Sequence, residues 1–367
     1  MRFKSHQPGG NGAMTDRPVT GGASPRTALR FIELLGLVSL FADMTYEGAR
    51  SVTGPYLAVL GASGTAVGVV AGLGELVGYA LRLVSGRAAD RTGRYWAITI
   101  LGYAVNLFAV PLLAIAGWWE VAAALMIAER MGKAVRTPAR EAMLSHASAD
   151  VGRGWAFGLH EALDQAGAVV GPLLVTAVLY AKGGGYREGF AILLIPAVLA
   201  VGILLGAWRI YPRPRDLEVE SEPPGPRGFP RIFWAYLGAS SLVAAAYVDF
   251  PLIAYHFEKM DVVPDPWIPV FYSTAMGSAA LSALVFGRTF DRWGLAVLVV
   301  ATLVSALFTP LVFWGGFVSS LLGMTLWGAG MGAHESVMRA AVARMVSPDR
   351  RGSAYGVFNT GYGVAWF

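Results

Sequence analysis

The octapeptide Gly86-Arg87-x-x-Asp90-Arg91-x-Gly93 returns about two hundred residues later as Gly287-Arg288-x-x-Asp291-Arg292-x-Gly294. Each copy follows an apolar segment of membrane-spanning length (64–85 and 268–286) and precedes another (95–117 and 295–314). A short, basic, glycine-bent loop at matching places in two hydrophobic halves implies a chain built twice, inside a membrane.

Composition supports that setting. Of 367 residues, 55% are hydrophobic and 14% charged, with a mean hydropathy of +0.52; soluble domains carry about 25% charged residues. A spanning helix needs roughly 20 mostly apolar residues, and such stretches recur from about residue 30 onward. The 46 glycines suit close helix approach in a bilayer. The expected fold class is an all-α polytopic membrane protein. The net charge of +5 lies mainly in alternate short loops rather than along one face, which argues against a nucleic-acid partner. The absence of cysteine excludes disulfides, thiol nucleophiles and thiolate metal sites. The five histidines form no H-x-x-x-H pair, so neither a metal nor another cofactor is expected.

Residues 1–28 read as a disordered cytoplasmic tail, polar and rich in Gly, Pro, Ser and Thr. No signal-peptide core precedes the first span, and Met14 is a second possible start. Spans are expected near 29–60, 64–85, 95–117, 119–143, 153–181, 187–211, 231–257, 267–286, 295–314, 316–343 and 352–367. They form an N-terminal six-helix bundle (29–211), a cytoplasmic linker (212–230) and a second bundle (231–367). The second bundle reads as incomplete, cut within its fifth span. Arg87, Arg91, Arg94, Arg288, Arg292, Arg350 and Arg351, with the arginines of the linker, place the N-terminus and both octapeptides in the cytoplasm. Tryptophans near span ends, among them Trp96, Trp118, Trp208 and Trp314, fit interfacial belts.

A second repeat, Arg153-Gly154-x-Ala156-Phe157-Gly158 and Arg351-Gly352-x-Ala354-Tyr355-Gly356, opens the fifth span of each half. Spans 3, 6 and 9 carry no ionisable group in their interiors, so every third helix is expected to face lipid while the others line a central space. Nested three-helix repeats around a midplane site are the architecture of secondary transporters.

These features resemble the major facilitator superfamily over essentially the whole chain. Its loop signature G-x-x-x-D-[RK]-x-G-[RK]-[RK] is matched by Gly86, Asp90, Arg91, Gly93 and Arg94; Tyr95 departs at the last position, and the second copy, with Asp291 and Arg292, lacks the basic pair after Gly294. The resemblance implies two six-helix bundles, with these residues as a conformational latch. Asp90 would meet the N-terminus of span 11, where a carboxylate suits the helix dipole, and its arginines would brace acids such as Glu141. The alternative is that these charges only set topology. In span 5, Gly167-x-x-x-Gly171-Pro172 is similar to the family's antiporter motif without its closing glycines, and reads equally as close packing.

The candidates for coupling and substrate binding lie in the spans. Glu129, Lys133, Arg136 and Arg140 share one face of span 4. Arg130 resembles the family's span-4 arginine associated with proton coupling, without the Gln-Gly that usually follows. His160, Glu161 and Asp164 lie in span 5, and Asp43, Glu47 and Arg50 on one face of span 1. Asp164 is the first candidate for a carboxylate neutralised by a proton in one state and a cation in another. Glu47 and Asp249 align across the two halves as a proton relay or cation site, against simple pairing of Glu47 with Arg50. Glu75, His334, Glu335 and Arg339 are further cavity candidates.

The expected function is secondary active transport by alternating access, coupled to protons and exporting a small organic solute. It would act as a monomer in a prokaryotic plasma membrane. The rivals are uptake of an anionic metabolite by proton symport and a transporter-like sensor. No P-loop indicates direct use of ATP. A membrane enzyme using His160 with Asp164 would lack an accompanying nucleophile.

Overall fold

The computed structural model describes residues 25–149, 151–181, 185–217, 228–248, 250–264 and 267–366. Among them the first half contains α1 (Pro25–Val59), α2 (Gly64–Thr92), α3 (Tyr95–Leu112), α4 (Trp119–Ala147), α5 (Arg153–Ala181), α6 (Tyr186–Ile192) and α7 (Leu194–Ile210). The second half contains α8 (Arg231–Ala246), α9 (Phe250–Lys259), α10 (Ile268–Trp293), α11 (Ala296–Ser305), α12 (Phe308–Phe313), α13 (Phe317–Met345) and α14 (Arg351–Trp366). No strand occurs among the described residues.

Three spans expected to be single helices are broken, at α6/α7, α8/α9 and α11/α12. Each break lies four residues before a proline: Ile192 before Pro196, Tyr247 before Pro251, Ala306 before Pro310. Proline has no N–H to return to the carbonyl four positions back, so that carbonyl is released. At the third break Thr309 N–H takes the Ala306 carbonyl instead, at 3.3 Å. Proline does not dictate a break by itself, since α1, α4 and α5 run through Pro55, Pro138 and Pro172.

The octapeptides are not loops. They form the last two turns of α2 and α10, and the chain turns only at Gly93 (φ 66°) and Gly294 (φ 63°). The Gly-Arg-x-x-Asp-Arg sequence is compatible with a helix, and Arg91 and Arg292 in the final turn suit the negative end of the dipole. Positive φ at the following glycine ends each helix, with its N–H returned to Ala89 O and Phe290 O.

The segments 95–115, 186–210 and 296–313 have mean hydropathies of 2.1, 2.7 and 2.4, above the 1.6 and 1.4 of α5 and α10. They expose Leu101, Val105, Ile195, Val198, Val299 and Leu303, a surface suited to hydrocarbon. At the octapeptide face one apolar core joins the halves, with Phe31, Trp96, Met143 and Phe157 of the first and Phe233, Phe290, Val337 and Tyr355 of the second. At the opposite face the core divides in two. One cluster, around Tyr46, Tyr56, Leu113 and Phe190, is built from the first half. The other, around Tyr247, Phe257, Phe271 and Trp327, belongs to the second half, with Val169 of α5 packed against it.

Candidate functional site

The two halves meet through a pair of crossed helix caps. Asp90, near the end of α2, accepts from the backbone N–H of Gly352 (3.0 Å) and Ser353 (2.6 Å) in the first turn of α14, and from Tyr95 Oη (2.9 Å). Asp291, near the end of α10, accepts from Gly154 N–H and Trp155 N–H in the first turn of α5, each at 2.8 Å. Arg344 adds an ion pair to Asp291 at 3.0 Å. The acid of each octapeptide therefore caps the helix opened by the Arg-Gly-x-Ala segment of the other half, satisfying N–H groups that begin a helix without partners. Glycine makes the approach possible: a Cβ on Gly154 would lie 2.0 Å from Gly287 O, and one on Gly86 2.2 Å from Gly352 O. Arg87, Arg91 and Arg94 are exposed.

Glu141 is braced from the second half rather than by the octapeptide arginines. Its carboxylate pairs with Arg339 Nε of α13 at 3.4 Å and accepts from Asn359 Nδ2 of α14 at 2.7 Å. Arg339 also reaches Glu161 of α5 at 3.1 Å and Glu335 at 3.7 Å. One guanidinium thus joins α4, α5 and α13 through carboxylates of which Glu141 and Glu161 are almost wholly buried. Sequence reading gave Arg339 only a minor place, because Glu141 and Glu161 lie nearly two hundred residues away.

The first-half candidates fall into two groups at different depths. Nearer the octapeptide face, Arg140 Nη1 donates to Ser39 Oγ at 2.8 Å, Ser39 Oγ and His160 Nε2 share a hydrogen bond of 2.9 Å, and His160 Nδ1 lies 3.5 Å from Asp164 Oδ2. Further from that face, Lys133 Nζ sits 3.7 Å above the Tyr46 ring, whose hydroxyl donates to Asp43 Oδ2 at 2.8 Å. A cavity of about 70 Å³ opens beside this group, lined among others by Tyr46, Arg50, Glu129, Arg130 and Lys133. Glu129 accepts from Asn106 Nδ2 at 2.7 Å, and the Arg130 side chain runs over Gly74 of α2. Arg136 is fully buried with its guanidinium 4.1 Å from the Tyr103 ring centre. Glu47 pairs with Arg50 at 3.6 Å. Asp249 and the side chain of Glu75 lie outside the described residues.

Gly167 and Gly171 face α1, where added Cβ atoms would lie 2.2 Å from Leu40 O and 2.4 Å from Met44 O. The motif with Pro172 thus sets the packing of α5 on α1 within one half. The break between α8 and α9 was missed by sequence reading, although Pro251 signals it. Trp327 Nε1 donates to the Val248 carbonyl within the break at 2.8 Å, and Tyr247 Oη bonds the Trp327 carbonyl. Tyr247 packs against His334 and Trp366, and His334 Nε2 shares a 2.8 Å hydrogen bond with Thr302 Oγ1. Irregular backbone at such depth is tolerated where protein or a polar cavity satisfies it.

Two helical bundles, capped across one face and separate at the other, with charge gathered between their helices, have the arrangement of a membrane transporter. The sequence profile of the Major Facilitator Superfamily matches residues 35–367, and the chain belongs to that family of secondary transporters rather than to any enzyme class. An uncharacterized protein of Mycobacterium tuberculosis is 45% identical over 345 residues, covering 92% of this chain and 84% of its own. An uncharacterized MFS-type transporter of Methanocaldococcus jannaschii is 25% identical, covering 91% and 85%. Among solved structures, the fold matches a bacterial homologue of the iron transporter ferroportin in its outward-facing state (TM-score 0.70, 17% identity, 92% and 90% coverage). It also matches the human organic anion transporter MFSD10 (TM-score 0.70, 14% identity, 92% and 91% coverage).

Proposed function

We propose that this protein is a proton-coupled exporter of a small organic solute. It works as a monomer in a prokaryotic plasma membrane, with its N-terminus and both octapeptides in the cytoplasm. The described conformation is then closed to the cytoplasm and open outward. The observation that carries this reading is the pair of crossed caps. Each is a small set of reversible polar contacts between glycine-lined helices of opposite halves, as a two-state gate requires. Differential contacts in two states are what let a ligand or proton shift one toward the other. Asp164 is the proposed proton carrier: it is nearly buried, and its described neighbours tie it to Ser39 and Arg140 through His160.

A second reading is favoured by the cavity beside α4. Arg130 and Lys133 face Glu129 there, with Arg50 paired to Glu47, so cations outnumber acids in the lining, as suits an anionic solute. Uptake of such a solute by proton symport would use the same gate.

The test places the protein in inside-out vesicles bearing a pH gradient and screens solutes for proton release by dye dequenching. A solute-specific signal that disappears in Asp164→Asn supports export with Asp164 as carrier. Solute binding by the purified protein without release of the gradient would overturn antiport; solute-driven proton entry in the opposite sense would establish symport.

A further inference from the structure

The molecule carries a groove beside the gate, sharing Gly93, Arg94 and Tyr95 with the end of α2 and the start of α3. It lies on the outer surface between α3 and α7, at the octapeptide face, and has a volume of about 760 Å³. That is within the range of roughly 300–1,000 Å³ typical of ligand pockets. Its walls are apolar, formed by residues including Ile100, Leu101, Ala104 and Leu205, with Trp208 at the end of α7. Arg94 and Arg213 stand at its rim on the two sides, both exposed, and among the described residues no carboxylate lines it. Neither arginine forms an ion pair with a described residue.

We propose that this groove is a binding site for an anionic phospholipid, with the acyl chains along α3 and α7 and the headgroup phosphate between Arg94 and Arg213. Three observations converge. The groove opens on the hydrocarbon-facing side, because α3 and α7 belong to the most apolar spans of the chain. Its apolar depth ends at the exposed Trp208, and an exposed tryptophan at a span end marks the headgroup region. The two cations sit at that level and above it, where guanidinium groups bind phosphate in bidentate fashion. A soluble anionic ligand would leave the Leu101–Ala104 wall in contact with lipid tails, whereas a phospholipid fills both parts of the groove at once. The linker begins at this site: Trp96 Nε1 donates to Tyr211 O at 2.8 Å, holding the end of α7 beside the start of α3.

Each arginine near an anionic headgroup is expected to contribute about fivefold in affinity, or roughly thirtyfold for the pair. The test uses the full chain in neutral detergent titrated with dibrominated phosphatidylglycerol or dibrominated phosphatidylcholine, whose bromines quench tryptophan. The part of the signal due to Trp208 is isolated by difference from Trp208→Phe. The expected result is saturable Trp208 quenching by phosphatidylglycerol at concentrations well below those for phosphatidylcholine. That preference should fall by tenfold or more in Arg94→Gln/Arg213→Gln and survive in Arg94→Lys/Arg213→Lys. Equal quenching by the two lipids, or a preference unchanged in the glutamine variant, would overturn the proposal. Both arginines are exposed, so the variants should elute as the parent does, and that elution is checked in the same preparations.

Discussion

Replacing Gly154 by alanine should open the octapeptide face. A Cβ at this position would lie 2.0 Å from Gly287 O, whereas ordinary contact begins at 3.4 Å, so α5 and α10 must part by about 1.4 Å. The atom it meets is backbone, which cannot rotate away as a side chain can. The Gly154 and Trp155 N–H groups now donate to Asp291 at 2.8 Å each; a separation of that size takes both beyond hydrogen-bonding reach. Hydrogen bonds to a charged group contribute about 1.5–3 kcal/mol each. Losing the pair therefore disfavours the closed face by at least about 3 kcal/mol, roughly a hundredfold in population. Because the chain has no cysteine, spin labels are readily confined to Thr92→Cys and Trp293→Cys, exposed positions at the ends of α2 and α10. The distance distribution between them should move from one short peak to a mixture with a longer component. Gly78→Ala is the control, since nothing lies within 4 Å of a Cβ there, and it should leave the distribution unchanged. An unaltered distribution in Gly154→Ala would refute the claim that glycine approach and the Asp291 cap close this face.

Arg339→Gln should destabilise the folded protein by about 3–5 kcal/mol, because it strands buried carboxylates; thermal unfolding in detergent checks this, and adding Glu161→Gln should recover part of the loss. No change in the single variant would show that Arg339 does not neutralise Glu141 and Glu161. Trp327→Phe leaves the Val248 carbonyl without its donor and should cost about 1–3 kcal/mol in the same assay. A fully stable variant would mean that the break between α8 and α9 is held by other contacts. Lys133→Met removes the cation above Tyr46 and should reduce solute-dependent proton movement at least tenfold while elution stays normal. Unchanged transport would remove the cavity beside α4 from the pathway.

Much of this organisation is legible in the sequence because duplication repeats it. The octapeptides and the Arg-Gly-x-Ala segments are visible as two pairs, and the resemblance connects Asp90 with span 11. Nothing local says that Asp291 caps α5, since that contact joins residues more than a hundred positions apart. Helix breaks were legible in principle: Pro196, Pro251 and Pro310 each follow one by four residues. Pro138 and Pro172, equally visible, interrupt nothing, so a proline in the sequence does not by itself say whether its helix breaks. The octapeptides read as loops because glycine and arginine are frequent there, yet only Gly93 and Gly294 leave the helix. Arg339 escaped prominence for a physical reason. A single cation on α13 has ordinary i,i+4 pairing with Glu335 in the sequence, and only the folding of α4 and α5 against it reveals Glu141 and Glu161.

Alternating access makes one demand that can be read directly: the two faces must open and close in opposition. Labels at Thr92 and Trp293 report the octapeptide face, and labels at Val59 and Trp314, exposed at the far ends of α1 and α12, report the other. Both pairs are measured in reconstituted bilayers across a range of pH, with and without Asp164→Asn. The account predicts reciprocal changes, with the Val59–Trp314 distance shortening in the same proportion of molecules in which the Thr92–Trp293 distance lengthens. Distances that vary independently, or a Val59–Trp314 distance that stays fixed while the octapeptide face opens, would contradict it.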